Sequence, residues 1–350
     1  MLSLRLKHLA WMLTVLGVGL AMPLQRMGSN PEHGWTMTRK PLVVVLVVGE
    51  TARAANWGLN GYPRHTTPQL SALPVINFAN VMSCGTDTGE SLSCMFAPGG
   101  HRRRDAVRDG NSENLLHVLA RAGVAVHWRD NQSGCDGVCD GLPSDSVRAL
   151  QAGGMCSADQ CLDEGLLVGL EERLAAAQGA QLLVLHQLGS QGPSYFRRYP
   201  APFARFLPAC NHDDLSLCTR QEIVNAYDNA LLYTDHVLAQ AIGFLRQQTA
   251  YDTALIYVSD HGESLGEKGL FLHGVPYAIA PREQTRVPMV MWFSPGFASD
   301  SGLDMDCLRR RASQPASHDN LFPSVLGLLQ VRTEVYRPAD DLFAACRAPA

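Results

Sequence analysis

The feature that most constrains the fold is a run of apolar, mostly β-branched residues from Leu42 to Val48 (LVVVLVV). Apolar and polar positions do not alternate in this run, so a strand built from it must bury both of its faces. Strands of this kind lie inside parallel sheets that helices cover on both sides. Gly49, Glu50 and Thr51 follow, and they place a carboxylate directly beyond the strand.

Strand-like and helix-like patterns then alternate along the chain. Gly123 and Gly179 follow two of the helical stretches, where glycine is a typical helix end. The patterns predict strands over 124–128, 181–188, 253–259 and 287–293, and helices over 112–122, 162–178, 222–248 and 321–329. This alternation predicts an α/β fold, an α/β/α sandwich with a mostly parallel central sheet.

Polar side chains follow several of the predicted strands. In open α/β sheets, ligands bind beyond the carboxyl ends of the strands. Glu50 follows the first strand, His186 and Gln191 lie around the end of a middle strand, and Asp260 and His261 follow a later one. Each residue alone is more often structural, as a helix cap or an interior histidine. Together they predict a functional site at this edge of the sheet.

Ten cysteines fall mostly into close pairs. These are Cys84 with Cys94, Cys135 with Cys139, Cys156 with Cys161, and Cys210 with Cys218, while Cys307 and Cys346 remain. An even count in close pairs predicts disulfides and an oxidising compartment. Zinc ligation by cysteine is the alternative, but the paired C-x-x-C knuckles or added histidines of such sites are missing.

The amino-terminal segment has the pattern of an export signal. Arg5 and Lys7 precede an apolar run from Leu9 to Leu24, and Gly19 and Ala21 form a small-x-small cleavage pattern. Residues 1–24 are therefore predicted to be a signal peptide, or alternatively a single uncleaved membrane anchor. Residues 25–41 are predicted to be a linker, and residues 42–346 to form the catalytic domain.

The segment Asp260-His261-Gly262-Glu263 has the composition of a metal site. Carboxylate oxygen and imidazole nitrogen are both good zinc ligands. Gly262 permits a sharp turn, so that both side chains can converge on one ion. Glu50 would supply a third ligand from the neighbouring strand end.

The segment 83–90 (SCGTDTGE) has two interpretations. It is an ordinary helix start if Asp87 or Thr88 caps the helix and Glu90 lies in the first turn. It is also a place where a phosphorylated hydroxyl would be stabilised, because the N–H groups of a helix N-terminus are free. Threonine is a weak nucleophile and needs a base or a metal ion to activate it. Zinc held beside Thr88 would do this, with the Cys84–Cys94 disulfide bracing the segment.

Six strings of the chain resemble one enzyme family in colinear order. They are VVGETARAANWGLNGYPRHTTPQL, MSCGTDTGESLSCMF, RDNQSGCDGVCD, LHQLGSQGPSYFRRYP, NAYDNALLYTDH and YVSDHGESLGEKGLFLHGVPYAIAP. The resemblance is to the bacterial lipid A phosphoethanolamine transferases, which include the colistin-resistance enzymes and have an alkaline-phosphatase/sulfatase-type catalytic domain. It covers roughly residues 42–345, and motifs of this length and number are specific.

The resemblance implies roles for particular residues. It makes Glu50, Thr88, Asp260 and His261 the ligands of zinc, with Thr88 also the nucleophile. It makes Glu263 and His273 catalytic residues that face the transferred group or the leaving oxygen. The implied substrate-binding residues are Asn131, Gln132, Gln191, Glu263 and His273, and the cysteine pairs match the disulfides of the family.

The function that the resemblance implies is zinc-dependent transfer of phosphoethanolamine through a covalent Thr88 intermediate. The implied partners are phosphatidylethanolamine as donor, lipid A or a related envelope glycan as acceptor, and a membrane surface. The implied location is the periplasm, in soluble form or anchored to the inner membrane. A net charge of -4 and a pI near 6.3 argue against a nucleic-acid partner.

Three departures from the family pattern keep alternatives open. Gln191 stands where the family usually has histidine in GSHGP, and Asp136 stands where a basic residue is common and would repel an anionic head group. The family carries a multi-helix membrane domain, whereas this sequence has one short apolar segment. A hydrolase of the same superfamily and a non-catalytic domain that binds lipid head groups are the alternatives. Sulfatase activity is less favoured, because C-x-P-x-R is missing around Cys84.

Overall fold

The computed structural model describes residues 24–34, 39–105, 111–151 and 154–347. The predicted signal peptide or anchor lies outside these residues except for its last position, and the predicted linker lies within them only in part. Among the described residues, no helix combines the length and the apolar character that crossing a bilayer requires.

An eight-stranded sheet forms the centre of the described chain, and two small two-stranded sheets flank it. The strands are β1 Glu32–His33, β2 Leu42–Gly49, β3 Ile76–Met82, β4 Ala125–Asp130, β5 Ser144–Ser146, β6 Gln181–His186, β7 Asp252–Ser259, β8 Ser264–Glu267, β9 Leu270–Leu272, β10 Arg286–Phe293, β11 Ala316–Ser317 and β12 Val331–Arg332. The central order is β11-β3-β10-β7-β2-β6-β4-β5, and the small sheets pair β1 with β12 and β8 with β9.

Helices cover both faces of the central sheet. The α-helices are α1 Pro68–Ser71, α2 Thr88–Met95, α3 Leu115–Arg121, α4 Leu170–Ala175, α5 Arg220–Gln247, α6 Arg282–Thr285, α7 Pro295–Asp300, α8 Met305–Arg311 and α9 Leu321–Leu328. Short 3-10 turns lie at Ala54–Asn56, Gly58–Asn60, His101–Arg103, Asp163–Leu167, Tyr195–Arg197, Ala201–Phe203, Leu215–Leu217, Tyr277–Ile279, His318–Asn320, Pro338–Asp340 and Ala344–Cys346.

The predicted mostly parallel sheet is confirmed. β2 runs parallel to β6 and β7, β4 runs parallel to β5 and β6, and β11 runs parallel to β3. Among the described strands of the central sheet, only β10 is reversed, since it pairs antiparallel with both β3 and β7. The carboxyl ends of β2, β3, β6 and β7 therefore meet at one edge.

β2 divides the core into two layers. All eight of its residues are buried, as its unbroken apolar pattern predicts. Val44, Leu46 and Val48 face one hydrophobic cluster, which contains side chains of α3 and α9. Val43, Val45 and Val47 face the other cluster, which contains side chains of α5. This is the predicted α/β/α sandwich, and burial of both faces of β2 fixes its position in the sheet.

The predicted helix over 162–178 is wrong. A 3-10 turn covers Asp163–Leu167, the chain leaves helical geometry at Val168, and α4 begins only at Leu170. Gly169 adopts a left-handed φ of 66°, which a continuous helix excludes. A β-carbon on Gly165 would lie 2.3 Å from Val147 Cγ1, so the turn packs too closely for any other residue.

One predicted strand is too long, and one strand of the sheet was not predicted. The strand predicted over 181–188 ends at His186. The Gln187 amide still donates to the Val48 carbonyl at 2.9 Å, and the chain then turns into a loop in which the Ser190 amide donates to the Glu50 carbonyl at 3.0 Å. β3 was not predicted, because its INFANVM sequence places polar side chains at several positions of a strand that is only partly buried.

Five disulfides form in the structure and pair all ten cysteines. They are Cys84–Cys94, Cys135–Cys139, Cys156–Cys161, Cys210–Cys218 and Cys307–Cys346. The first four pairings agree with the close spacing in the sequence. The fifth ties α8 to the end of the described chain and closes a much longer loop.

Loop length predicts unequal contributions of these disulfides to stability. Cys307 and Cys346 are 39 residues apart, and Cys156 and Cys161 are 5 apart. In the chain-entropy model these loops correspond to about 4 and about 2 kcal/mol of the free energy of unfolding. Paired Cys→Ala variants of the two disulfides should therefore differ by about 2 kcal/mol in urea unfolding, with the long-loop variant less stable. Equal or reversed losses would contradict this ordering.

Candidate metal and nucleophile site

Two neighbouring strands place two carboxylates side by side. Gly49, the last residue of β2, pairs in register with Ser259, the last residue of β7. Glu50 and Asp260 follow these residues directly, so the sheet sets their separation. His261 extends from the same strand end as Asp260. The predicted convergence of these three residues is what the structure contains.

The three side chains form a compact buried cluster. Ligand atoms of Glu50, Asp260 and His261 all lie within 4.8 Å of one another. His261 Nε2 is 3.4 Å from Glu50 Oε1 and 3.3 Å from Asp260 Oδ2. The Gly262 carbonyl lies 2.9 Å from His261 Nδ1 and accepts its proton in the tautomer that leaves Nε2 free to bind a metal.

Two carboxylate oxygen atoms of the cluster have no hydrogen-bond partner, which indicates whether a cation fits there. Glu50 Oε1 and Asp260 Oδ2 are fully buried and accept no hydrogen bond. Burying an unpaired carboxylate oxygen is unfavourable unless a cation or a donor balances it. Two carboxylates and one imidazole are a donor set that zinc accepts in proteins. The residues present therefore fit a divalent metal ion.

The protonation states of the cluster follow from burial and from its own charges. Burial, followed by the adjacent Glu50 carboxylate, raises the pKa of Asp260 to about 7. Burial alone would lower the pKa of His261, but the carboxylates of Asp260 and Glu50 outweigh it and raise that pKa to about 10. Without metal, the cluster therefore holds protons that a bound cation would displace.

Thr88 directs its hydroxyl at this cluster. Its Oγ1 donates to Glu50 Oε2 at 2.9 Å and lies 3.5 Å from His261 Nε2. Thr88 is the first residue of α2, and Asp87 caps that helix by accepting from the Glu90 amide at 2.8 Å. Thr86 points elsewhere and donates to the Val275 carbonyl at 2.7 Å. Of these two hydroxyls, only that of Thr88 contacts the cluster.

His318 is a residue that the sequence reasoning missed. Its Nδ1 accepts from the Cys84 amide at 3.0 Å, and its Nε2 donates to the Ser259 carbonyl at 2.9 Å. Burial lowers the pKa of His318 to about 4, which keeps the ring neutral for these two bonds. The ring thus connects the segment before Thr88 to the strand end that carries Asp260.

A carboxylate–imidazole pair lies beside the cluster. His273 Nδ1 is 3.1 Å from Glu263 Oε1, and the His273 and His261 rings are 4.4 Å apart between centroids. Burial raises the pKa of Glu263. Glu263 is fully buried and His273 is partly exposed, so the pair connects the interior to the protein surface.

Glycines permit close approach of the chain around the cluster. A β-carbon on Gly262 would lie 2.1 Å from the Glu283 carbonyl oxygen, so this glycine is needed for space. Gly189 adopts a φ of 55°, and a β-carbon there would lie 2.6 Å from the Glu50 carbonyl oxygen. Side chains at either position would push a ligand-bearing segment outward.

The three polar residues predicted to bind substrate have different surroundings. Gln132 reaches the cluster, donating from Nε2 to Glu50 Oε2 at 3.1 Å. The Asn131 side-chain amide instead donates to the Cys161 carbonyl at 3.1 Å and to Asp163 Oδ1 at 2.7 Å. It therefore contacts neighbouring protein segments and not the cluster. Gln191 is partly exposed, and its side chain forms no hydrogen bond with the described residues.

Arg198 is a second residue that the sequence reasoning did not single out. Its Nε donates to the Gln191 carbonyl at 2.8 Å. Burial lowers the pKa of Arg198, and the carboxylates of Asp163 and Glu50 oppose that effect. A guanidinium is therefore held near the loop in which the family's imidazole is replaced by Gln191. The sequence signal for this residue is the pair of adjacent arginines, Arg197 and Arg198.

His186 lies behind the cluster instead of within it. Its ring is buried, with Nδ1 2.9 Å from Asp130 Oδ1 and the ring edge against Trp128. His186 is not among the residues whose ligand atoms all lie within 4.8 Å of one another. Burial would lower the pKa of His186, but the carboxylates of Asp130, Glu50 and Asp260 outweigh burial and raise that pKa.

The chain is similar over most of its length to one protein family and to several proteins of known activity. The sulfatase family matches residues 43–331. The chain is 43% identical over 332 residues to phosphoethanolamine transferase EptA of Escherichia coli, and 43% identical over 305 residues to phosphatidylethanolamine transferase Mcr-1 of the same species. These alignments cover 93% and 85% of this chain, but only 60% and 55% of the two relatives.

A solved structure has the same fold. The soluble domain of lipooligosaccharide phosphoethanolamine transferase A from Neisseria meningitidis superposes with a TM-score of 0.91 at 43% identity. The superposition covers 94% of this chain and 99% of that domain. The alkaline-phosphatase/sulfatase-type fold expected from the sequence is therefore confirmed.

The pKa of Asp260 predicts how metal affinity depends on pH. Asp260 must be ionised to bind a cation, so protons compete with zinc below its pKa of about 7. The apparent zinc affinity of metal-free protein should rise at least about tenfold from about pH 6 to about pH 8. Calorimetry in buffers of different ionisation enthalpy would measure both the affinity and the protons released.

Matched variants separate this site from other carboxylates. Asp260→Asn should abolish tight zinc binding. Glu267→Gln should retain it, because Glu267 pairs with Arg53 at 3.0 Å outside the cluster. Affinity that does not change with pH, or equal loss in both variants, would contradict the assignment.

Proposed function

Because the chain belongs to the sulfatase family and, within it, to the phosphoethanolamine transferases, we propose that it transfers phosphoethanolamine from phosphatidylethanolamine to lipid A or a related envelope glycan. One observation carries the proposal: the Thr88 hydroxyl lies 2.9 Å from Glu50 at the rim of a buried cluster with two unpartnered carboxylate oxygens. The periplasm is the proposed location, and the five disulfides support an oxidising compartment.

Glu50, Asp260, His261 and Thr88 would hold the proposed zinc ion. Bound there, zinc would lower the pKa of a coordinated hydroxyl and offset negative charge at the phosphorus. The remaining chemistry belongs to residues of the chain. Their positions support transfer in two steps with a covalent intermediate, which is how nucleophilic catalysis divides one difficult displacement.

In the first step, Thr88 Oγ1 attacks the phosphorus of the donor phosphodiester. The new bond joins Oγ1 to phosphorus, and the bond from phosphorus to the diacylglycerol oxygen breaks. The threonine proton leaves along the hydrogen bond to Glu50 Oε2. The departing diacylglycerol oxygen gains a proton, so the alcohol leaves neutral and phosphoethanolamine stays on Thr88.

The Glu263–His273 pair is placed to supply that proton. His273 is partly exposed at the opening and 3.1 Å from the buried Glu263 carboxylate. The carboxylate orients the ring, as in other acid–base pairs. His273 would protonate the leaving oxygen in the first step and deprotonate the incoming acceptor in the second.

In the second step, an acceptor oxygen of the glycolipid attacks phosphorus. The bond from phosphorus to Thr88 Oγ1 breaks, and Oγ1 recovers from Glu50 the proton that it gave up in the first step. Throughout both steps, the N-terminus of α2 presents amide N–H groups to the phosphoryl oxygens, because Thr88 is its first residue. Water in place of the glycolipid would make the enzyme a hydrolase by the same route.

A covalent adduct on Thr88 is the direct prediction. Zinc-loaded protein incubated with phosphatidylethanolamine should gain one phosphoethanolamine group, located by intact-mass and peptide mass spectrometry. Thr88→Ala should lose the adduct. Thr86→Ala should keep it, because Thr86 faces Val275 and does not contact the cluster.

Three results decide between the alternatives. Transfer of the labelled group to lipid A supports the transferase, and release of free phosphoethanolamine with no glycolipid product indicates a hydrolase. Binding of phosphatidylethanolamine with no adduct on Thr88 would reject both and favour a non-catalytic domain that binds lipid head groups.

A further inference from the structure

Asp136 is an exposed charged residue near the nucleophile helix α2, and the proposed mechanism does not use it. It lies in the segment from Asp130 to Cys139, which also carries Gln132, the residue that donates to Glu50. Asp136 is exposed. Among the described residues, its carboxylate forms neither a hydrogen bond nor a salt bridge. An exposed carboxylate that has no partner among the described residues is available to bind a ligand.

The loop that carries Asp136 is held in place at several points. The Cys135–Cys139 disulfide closes it, and Val138 is buried in the hydrophobic core. Asp130 accepts from the Gln132 and Gly134 amides at 3.1 and 3.0 Å. These contacts fix the base of the loop against the strand end, so the carboxylate at its tip has a defined location.

That location is beside the nucleophile. A β-carbon built on Gly89 would lie 3.5 Å from Asp136 Oδ2, and Gly89 directly follows Thr88 in α2. The missing side chain of Gly89 leaves the space between the carboxylate and the helix end open. A group attached to Thr88 would therefore extend into a region bordered by Asp136.

Stabilisation of the helix end is the simpler role for Asp136. An acid near a helix N-terminus is favourable, because the free N–H groups there carry a partial positive charge. Asp87 already caps α2 by accepting from the Glu90 amide. Asp136 makes no hydrogen bond to the helix, so capping does not account for its placement.

We propose that the Asp136 carboxylate binds the ammonium group of the donor head group and of the phosphoethanolamine carried on Thr88. The inference rests on the proposed transfer of phosphoethanolamine. In that group, two carbons separate the ammonium from the ester oxygen, so a cation accompanies the phosphorus that Thr88 attacks. The Asp136 carboxylate repels the phosphate of the head group and attracts its ammonium group. Beside Gly89, the same charge selects for amine-bearing donors.

A matched pair of soluble donors isolates this contact. p-Nitrophenyl phosphoethanolamine carries the ammonium, and p-nitrophenyl propyl phosphate has the same length without it. For the full zinc-loaded chain, Asp136→Asn should lower kcat/KM for the amine donor about three- to fivefold, as expected for one partly exposed ion pair. The propyl donor should be unaffected, and Asp136→Lys should lower the amine preference further.

Asp140→Asn is the control, since Asp140 is an exposed acid of the same disulfide-closed region. It should leave the ratio of kcat/KM for the two donors unchanged. Added salt should narrow the difference between wild type and Asp136→Asn, because an exposed ion pair is screened. The proposal would be overturned if Asp136→Asn left the ratio of kcat/KM for the two donors unchanged, whether both values stayed the same or both fell equally.

An equilibrium measurement keeps this test separate from the proposed activity. Titration with O-phosphoethanolamine and with propyl phosphate should show tighter binding of the amine by wild type than by Asp136→Asn. If wild type turns over neither donor and forms no Thr88 adduct, the proposed transfer fails, and these titrations still decide the role of Asp136. Equal affinity of wild type and Asp136→Asn for the amine ligand would overturn it.

Discussion

The approach of two buried carboxylates, Glu50 and Asp260, is the interaction on which the rest of the site depends. Like charges at this distance repel in a buried setting, and desolvation adds to the cost. The sheet enforces the approach, because β2 and β7 pair in register up to the residues that precede them. The site is therefore held by strands whose own burial stabilises the fold. Glu50 Oε1 and Asp260 Oδ2 accept no hydrogen bond, so a cation can bind to these two oxygen atoms.

The supports around the cluster all act on the nucleophile segment. Asp87 caps α2, the Cys84–Cys94 disulfide closes the segment, and His318 joins it to the end of β7. None of these contacts touches the Thr88 hydroxyl, so the oxygen keeps only its bond to Glu50 and its contact with His261. The fold thus fixes the backbone of the nucleophile and leaves its reactive atom free.

Local patterns in the sequence predicted the features that depend on local chemistry. The unbroken apolar run identified β2, and the position after a strand identified Glu50, Asp260 and His261 as neighbours. The reversed direction of β10 could not be predicted, since an apolar pattern carries no information on strand direction. The break in the predicted helix packs Gly165 against Val147, a contact between separate segments that no local pattern marks.

The same limit applies to residues of the site. His318 acts through two backbone atoms from separate parts of the chain, so no motif marks it. Residue type alone indicated that Asp136 repels an anionic head group, whereas its place beside Gly89 would also bring it near the ammonium group of the proposed donor. Physical inference from sequence is reliable here for the chemistry of each residue, and the fold decides which groups that chemistry meets.

X-ray absorption at the zinc edge tests the central claim most directly, because it reports the atoms bound to the metal. The account predicts one stoichiometric zinc ion with four nitrogen or oxygen ligands at about 2.0–2.2 Å and no sulfur. Thr88→Val should remove one of these ligands or replace it by water, with the others retained. Sulfur in the coordination shell, or zinc that survives loss of both Glu50 and Asp260, would contradict the account.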